Sequence, residues 1–387
     1  MSQSTTTAEE EVGKRVATVQ DYYNDPNVLN LHKKLWGGDV HVGLYSRLEG
    51  EDKKLEGEKL IHQAGVVTTR ALLNKAFSFG GFMPDKCTIM DMGSAHGGPA
   101  RTVANEFGCN VVCIDVSQRE NAINAELSAA AGLADKITIP GERSYFDTKV
   151  AAESIDMIIS QEAFMYAGAD LYKVVKEAVR VLKPRGVLAF TDLMQSDTAD
   201  PKELAQLYEL VRLDHMASPG AFERCGKEYG LEGFEFEDLS PNVSTHYDYL
   251  ISLIAARRPI EGVDDSFLDW VSTRYSCWPK AARQGLVQWG IIVLKKKDVR
   301  EQWHSGDTQV RQYSRANNAV IGGVCRCSVH IVKAHAMPQK SAPRRTHWQH
   351  LLRYCELCTW TRAKNMVPCG CSLDIFRRCR SHHGFDP

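Results

Sequence analysis

The residues best suited to bind a ligand lie in a glycine-rich turn after an apolar run: Gly93, Ala95, Gly97 and Gly98. Glycine has no Cβ, so the backbone of such a turn can approach a bound molecule closely. Where the turn leads into a helix, the first N–H groups have no partner within that helix and can donate to a carboxylate or phosphate. The turn therefore predicts a site for a ligand with an anionic group.

Two cofactor classes fit this turn. Gly93, Ala95 and Gly98 nearly match the G-x-G-x-x-G pattern of dinucleotide sites, and Asp115 follows at about the distance expected of a ribose-binding acid. However, Asp91 stands two residues before Gly93, where it can meet an ammonium group, and Ala95 replaces the glycine that a pyrophosphate needs. These two features favour S-adenosylmethionine. A nicotinamide dehydrogenase, or a tight turn without a ligand, remains open.

Further cofactor contacts are expected where the following strands end. Asp115 ends the second predicted strand and can accept hydrogen bonds from ribose hydroxyls, although it could instead cap the helix that begins at Gln118. Ser144 and Tyr145 follow the third strand and would reach the adenine. The complete predicted cofactor set is Asp91, Gly93, Ala95, Gly97, Asp115, Ser144, Tyr145 and Gln161.

The elements that must position these residues alternate between strand and helix. Strands are predicted over 87–92, 110–115, 136–139, 154–160, 187–192 and 289–294, with clear helices over 64–79, 98–107, 118–131 and 171–182. Such alternation is typical of α/β proteins with a parallel sheet covered on both faces. We therefore predict a Rossmann-like, doubly wound, mostly parallel sheet with a helical N-terminal lid and a helical insertion.

The chain divides into three predicted segments. Residues 1–15 are polar and acidic and are expected to form a disordered leader, whereas 16–298 are expected to form one domain with a substrate lid at 16–60 and a helical insertion at 195–285. Residues 299–387 are basic, rich in Cys and His, and lack any periodic apolar pattern. Their cysteine spacing matches no known zinc module, so we expect a disordered tail and no metal site.

Several of these motifs together resemble class I S-adenosylmethionine-dependent methyltransferases. The residues that carry the resemblance are Asp91-x-Gly93, Gly97-Gly98, Asp115, Ser154-Ile155-Asp156 and the segment from Leu182 to Leu188. The similarity spans roughly residues 60–195. It implies methyl transfer from S-adenosylmethionine as the activity.

A narrower resemblance is to the sarcosine/dimethylglycine N-methyltransferases that make glycine betaine. It rests on Tyr22-Tyr23, on Leu35 to Tyr45, on Arg212 to Ser218 and on Thr245-His246-Tyr247. The sequence departs from that group at Ala95 and His96, which concern the geometry of the cofactor site, and at Asp39, which concerns the entrance for the acceptor. An S-methylated methylthio acid or N-methylated phosphoethanolamine is the alternative acceptor.

Methyl transfer to an amine requires a group that takes a proton and a surface that tolerates positive charge. We expect Asp192 and His41 to be the catalytic residues. The predicted acceptor-binding residues are Tyr23, Trp36, Tyr45, Met216 and His246. Each has a plain structural alternative: a turn for Asp192, helix packing for the aromatic residues, a core position for Met216 and a satisfied buried imidazole for the histidines.

Composition limits the other functions. The N-terminus has no apolar stretch of signal-peptide type and no run of about 18 apolar residues occurs, so we expect a soluble cytoplasmic protein without a membrane partner. The basic tail lacks a nucleic-acid-binding motif, so no nucleic acid partner is expected. A non-catalytic binding module remains the alternative from another class, and the oligomeric state is not predicted.

Overall fold

The computed structural model describes residues 8–81, 83–200, 202–211 and 213–298. Its helices are α1 (Ala8–Tyr23), α2 (Pro26–Leu35), α3 (Gly57–Gly80), α4 (Gly98–Glu106), α5 (Gln118–Ala130), α6 (Leu171–Val181), α7 (Ala205–Val211), α8 (Pro219–Tyr229), α9 (Pro241–Arg257), α10 (Asp265–Tyr275) and α11 (Cys277–Arg283). Its strands are β1 (Thr88–Met92), β2 (Asn110–Ile114), β3 (Ile137–Thr138), β4 (Ile155–Gln161), β5 (Leu182–Gln195), β6 (Leu231–Asp238) and β7 (Val287–Lys296).

The strands form one seven-stranded sheet in the order β3-β2-β1-β4-β5-β7-β6. Strands β1 to β5 pair in parallel, and β7 runs antiparallel to both β5 and β6. The chain moves outward from β1 to β3 and then returns to β4 on the other side of β1. The connections that follow β1 and β4 therefore run toward opposite edges of the sheet. This leaves a crevice at the carboxyl ends of these two strands, where ligands bind in sheets of this kind.

Each face of the sheet is covered by helices because successive side chains of a strand point to opposite faces. On one face, Met90 and Ile158 pack with α6 and α8. On the other face, Ile89 and Ile159 pack with α3 and α4. The predicted α/β class with a doubly wound, mostly parallel sheet is therefore confirmed.

Helix boundaries follow local capping chemistry. Ser117 is the N-cap of α5, and its side chain accepts a hydrogen bond from the Glu120 N–H. Gly97 precedes α4 with a left-handed φ of 72°, and Pro99 occupies the first turn, where its missing N–H costs nothing. These two starts place the first turns of α4 and α5 directly after β1 and β2.

Two predictions about the ends of the domain were wrong. Helix α1 begins at Ala8, so residues 8–15 of the predicted disordered leader are helical. The predicted helical insertion, 195–285, contains α7 to α11 but also β6, which extends the sheet by pairing with β7. Residues 1–7 and the predicted tail, 299–387, lie outside the described residues. No described helix has the length and apolar character needed to cross a membrane.

Candidate active site

The glycine-rich turn packs tightly against the end of β4. Gly93 has a left-handed φ of 84°, and a Cβ built on it would lie 2.3 Å from the Cβ of Ala163. Its N–H donates to the Ile114 carbonyl at 2.7 Å, which ties the turn to β2. Ala95 has a φ of 42°, an uncommon conformation for a residue with a Cβ. The turn is thus held in a shape that only glycine at position 93 permits.

Two buried carboxylates flank this turn. Asp115 accepts hydrogen bonds from the N–H groups of Ala95 and Ser117, both at 2.9 Å. Burial, reinforced by Glu120, raises its pKa to about 6. Asp91 is 1% exposed, its Oδ2 has no hydrogen-bond partner among the described residues, and burial together with Asp115 raises its pKa to about 7.

A cleft opens where β1 and β4 end, and we call it the β1–β4 cleft. Five of the predicted cofactor residues line it: Gly93, Ala95, Asp115, Tyr145 and Gln161. Tyr23, predicted as an acceptor residue, also lines it. The rest of its wall was not among the predicted site residues and consists of Val19, Val40, Ile114, Val116, Arg143, Glu162, Ala163 and Tyr166.

Three predicted cofactor residues do not line the cleft. Gly97 starts α4, and a Cβ on it would lie 2.0 Å from the side chain of Asn124. The Ser144 hydroxyl accepts the N–H of Phe146 at 3.2 Å. Asp91 lies beneath the turn. Asp115 does not cap α5, because Ser117 fills that position.

A second cavity of about 80 Å³ adjoins the cleft, and we call it the aromatic pocket. The two cavities share Tyr23, Val40, Glu162 and Tyr166. The aromatic pocket also contains Val42, Met165 and Leu193, together with His32, His41 and Arg274. Its aromatic and imidazole walls include Tyr22, Tyr23, Trp36, Tyr166, His246, Tyr247, Tyr275 and Trp278.

Among the predicted acceptor residues, Tyr23, Trp36 and His246 line the aromatic pocket, whereas Tyr45 and Met216 do not. The Tyr45 hydroxyl contacts His246 Nδ1 at 2.9 Å from outside the pocket. Met216 is fully buried in an apolar cluster, as its structural alternative proposed. Burial lowers the pKa of His246 to about 3, so its imidazole is neutral.

Glu162 occupies the junction between the cleft and the pocket. Its backbone has a left-handed φ of 50°, and its carboxylate accepts the Trp289 indole N–H at 2.6 Å and the Val42 N–H at 3.0 Å. Burial raises its pKa. Strained backbone is often found at functional sites. Glu162 belongs to the segment after the fourth strand where ligand contacts are expected, but only its neighbour Gln161 was predicted as a site residue.

The two predicted catalytic residues are placed differently. His41 lines the aromatic pocket. Burial opposes its charged form, but hydrogen bonding to Asp39 and the nearby Glu162 carboxylate outweigh burial and raise its pKa. Asp192 is fully buried and lines neither cavity; one of its oxygens accepts the Leu193 N–H at 3.0 Å. Burial, with Glu162 adding to it, raises the pKa of Asp192 well above its ordinary value.

The chain matches known proteins over this same region. A family model described as a methyltransferase domain matches residues 90–190, which include the glycine-rich turn, Asp115 and Glu162. The glycine/sarcosine/dimethylglycine N-methyltransferase of Actinopolyspora halophila is 33% identical over 72% of this chain, and the match spans 47% of that protein. The chain is a class I S-adenosylmethionine-dependent methyltransferase.

Two further comparisons support the likeness to methyltransferases that act on sarcosine and dimethylglycine. The sarcosine/dimethylglycine N-methyltransferase of Aphanothece halophytica is 28% identical over 72% of this chain and 96% of its own length. A crystal structure from Galdieria sulphuraria, assigned as a sarcosine dimethylglycine methyltransferase, superposes with a TM-score of 0.63 at 29% identity. It covers 71% of this chain and 99% of its own. The methyltransferase thus resembles the sarcosine/dimethylglycine N-methyltransferases.

The β1–β4 cleft of this methyltransferase suits S-adenosylmethionine. Asp91 does not line the cleft, but it stands two residues before Gly93. Its buried, unpartnered Oδ2 would attract the ammonium of a cofactor held by the turn, since a buried carboxylate oxygen without a partner favours a cation. Each oxygen of Asp115 accepts one backbone N–H and retains a free lone pair for a ribose hydroxyl. Gln161 also keeps a buried amide nitrogen without a partner. These groups fit the polar end and the ribose of the cofactor.

Proposed function

We propose that this methyltransferase methylates the amine of sarcosine or dimethylglycine, and that glycine betaine is the final product. The observation that carries the proposal is the aromatic pocket, which joins the β1–β4 cleft at Glu162. The bound cofactor supplies a methyl group already activated by a sulfonium. The chain must therefore hold an amine at the junction, accept its proton and keep water out.

The aromatic walls account for the tolerance of positive charge. A methylated amine becomes more cationic as the methyl group arrives, and aromatic faces attract such a cation with about 0.5 to 2 kcal/mol each. Trp36, Tyr23 and Tyr166 supply faces near the shared wall of the two cavities. An interaction that strengthens as charge develops lowers the barrier to transfer rather than only improving binding.

Glu162 is the proton acceptor in this proposal. Sarcosine and dimethylglycine exist as ammonium ions near neutral pH, and their nitrogen must lose a proton before it can attack. Glu162 lies at the junction with a raised pKa, which increases its basicity. His41 supports the carboxylate electrostatically, because a positive imidazole favours the anionic form of Glu162. Asp192 is fully buried and interacts electrostatically with Glu162, so in this proposal it influences the protonation of Glu162 without contacting the acceptor.

The size of the aromatic pocket favours a small acceptor. A buried water needs roughly 10 to 15 Å³ of such space, so the pocket of about 80 Å³ accommodates a molecule of about six non-hydrogen atoms. Sarcosine and dimethylglycine have about that size.

An acceptor screen with labelled S-adenosylmethionine tests the proposal. Glycine, sarcosine, dimethylglycine, methylthio acids and phosphoethanolamine are offered separately, and labelled product is identified by mass. We expect transfer to sarcosine or dimethylglycine. Transfer to a methylthio acid or phosphoethanolamine alone would overturn the proposed acceptor and leave the methyltransferase chemistry intact.

A further inference from the structure

Arg274, near the end of α10, is a buried cation in the wall of the aromatic pocket. Only 7% of the residue is exposed. It also lines a larger neighbouring cavity of about 500 Å³, which we call the outer cavity and which includes Tyr22, Asp21 and Asp25. Arg274 therefore stands where the aromatic pocket meets the outer cavity, at the wall that the β1–β4 cleft does not share.

The guanidinium of Arg274 is incompletely satisfied. Its carbon lies 4.8 Å from the ring centre of Trp270 and 5.2 Å from that of Tyr22, so ring faces stabilise the plane of the group. Its Nη1, however, has no hydrogen-bond partner in the described part of the chain. A buried cationic N–H without an acceptor is costly, and a native protein that keeps one calls for a functional explanation.

A second unpartnered donor lines the same pocket. The indole nitrogen of Trp36 is buried and has no hydrogen-bond partner among the described residues. Burial, with a smaller effect of His96, lowers the pKa of His32 beside it to about 3, so that imidazole adds no charge. Arg274 is thus the positive group of the pocket wall beyond His41. Its Nη1 and the Trp36 indole nitrogen are donors without an acceptor, and the neutral His32 Nδ1 also has no partner among the described residues.

The neighbouring acids do not neutralise Arg274. Asp25 caps α2 by accepting the Asn27 N–H at 2.7 Å. Asp21 lies on α1 in the outer cavity. Within the described residues, neither acid makes an ion pair with Arg274. The Nη1 of Arg274 therefore remains without an acceptor. The missing acceptor is therefore best supplied by a ligand.

We propose that Arg274 binds the carboxylate of the methyl acceptor, with the Trp36 indole N–H as a second donor. The planar guanidinium suits a carboxylate because two parallel N–H groups can meet its two oxygens. A carboxylate held there directs the amine of an amino acid toward Glu162 and the β1–β4 cleft. This inference rests on the proposed function and adds the reason why the acceptor is an amino acid rather than an amino alcohol.

Paired acceptors test the assignment. Dimethylglycine and N,N-dimethylethanolamine share the dimethylamine and differ in the carboxylate that Arg274 would bind. In the unchanged protein we expect kcat/KM to be lower for the alcohol than for dimethylglycine. In Arg274→Gln we expect the value for dimethylglycine to fall about 10- to 100-fold toward that of the alcohol, as for loss of a charged hydrogen bond, with little change for the alcohol. Arg274→Lys should recover part of the loss. Arg283→Gln, which removes an exposed arginine paired with Asp248, is the matched control.

A binding measurement separates this inference from the proposed function. Acetate carries the carboxylate alone, and its binding is followed by tryptophan fluorescence without any turnover. Loss of acetate binding in Arg274→Gln, with S-adenosylmethionine affinity retained, supports the assignment even if neither amine is methylated. Equal losses for dimethylglycine and the alcohol, or unchanged acetate binding, would overturn it while leaving amine methylation standing.

Discussion

At the scale of single residues, Asp91 links cofactor binding to pH. Burial, together with Asp115, raises its pKa to about 7 in the free protein. The carboxylate form attracts the cofactor ammonium and the protonated form does not, so affinity is present above pH 7 and is lost as the pH falls through this value. We expect S-adenosylmethionine affinity to weaken about tenfold from pH 8 to pH 6 in calorimetry.

The matched variants locate this pH effect. Asp91→Asn should bind weakly at both pH values and show no step near pH 7. Glu49→Gln, which changes an exposed acid, should behave as the unchanged protein does. A pH step that survives in Asp91→Asn would assign the titration to another group.

The glycine at position 93 offers a second test at this scale. Gly93 and Gly108 both have left-handed φ values, 84° and 73°, but a Cβ on Gly108 meets nothing within 4 Å. Alanine at either position costs about 1 to 2 kcal/mol of backbone strain. Gly93→Ala should lose additional stability in thermal unfolding and also lose cofactor affinity, because its Cβ meets Ala163. Equal behaviour of the two variants would remove the turn from the binding site.

The residue scale also shows where sequence reasoning reached its limit. Gly93, Ala95, Asp115, Tyr145 and Gln161 were found because they follow strands at fixed positions in a parallel sheet. Residues contributed by distant elements carry no such signal. Arg274 on α10 and Tyr166 after β4 meet in one pocket only through tertiary packing.

At the scale of elements, the end of α2 separates acceptor binding from cofactor binding. Trp36 is its C-cap residue and lines the aromatic pocket but not the β1–β4 cleft. Trp36→Ala should therefore lower kcat/KM for the acceptor about 3- to 30-fold, the range of one cation–π contact, with cofactor affinity retained. Both quantities are measured on one preparation.

The control for this prediction is Phe79→Ala. Phe79 lies under the Lys295 ammonium and lines neither the aromatic pocket nor the β1–β4 cleft. Its replacement should affect transfer less than the replacement of Trp36. If Trp36→Ala loses cofactor affinity as much as it loses kcat/KM for the acceptor, Trp36 stabilises the fold and does not bind the acceptor specifically.

Strand β6 and the first half of helix α1 escaped prediction for physical reasons. Strand β6 carries Glu232, Glu235 and Glu237 and has only one face against the protein, so its composition resembles a polar helix or loop. Pairing with β7 decides its structure. Helix α1 is acidic and weakly apolar, but Arg15 bonds to the Ala167 carbonyl and to Asp170, contacts that no local pattern can indicate.

At the scale of the whole molecule, every residue that lines the β1–β4 cleft and the aromatic pocket falls between Val19 and Trp278. The basic segment from 299 to 387 contributes none of the described lining. We expect a chain ending at Asp298 to keep its cofactor affinity and its transfer rate, because both sites are contained in the part retained. Calorimetry and the labelled-methyl assay measure the two. If the shortened chain keeps its cofactor affinity but no longer transfers the methyl group, the basic segment takes part in catalysis.

Helix α1 closes over the ligand sites through Val19, Tyr22 and Tyr23. Polar contacts help to attach it: the Gln20 amide donates to the Val116 carbonyl and to Glu142, and Arg15 pairs with Asp170. Because α1 forms part of the cleft wall, we expect demethylated cofactor to leave after these contacts open, and we expect this departure, rather than methyl transfer, to limit the rate of turnover. The signature is a rapid first burst of product followed by a slower steady rate. Arg15→Gln should quicken the slow phase, and a single phase throughout would place the delay elsewhere.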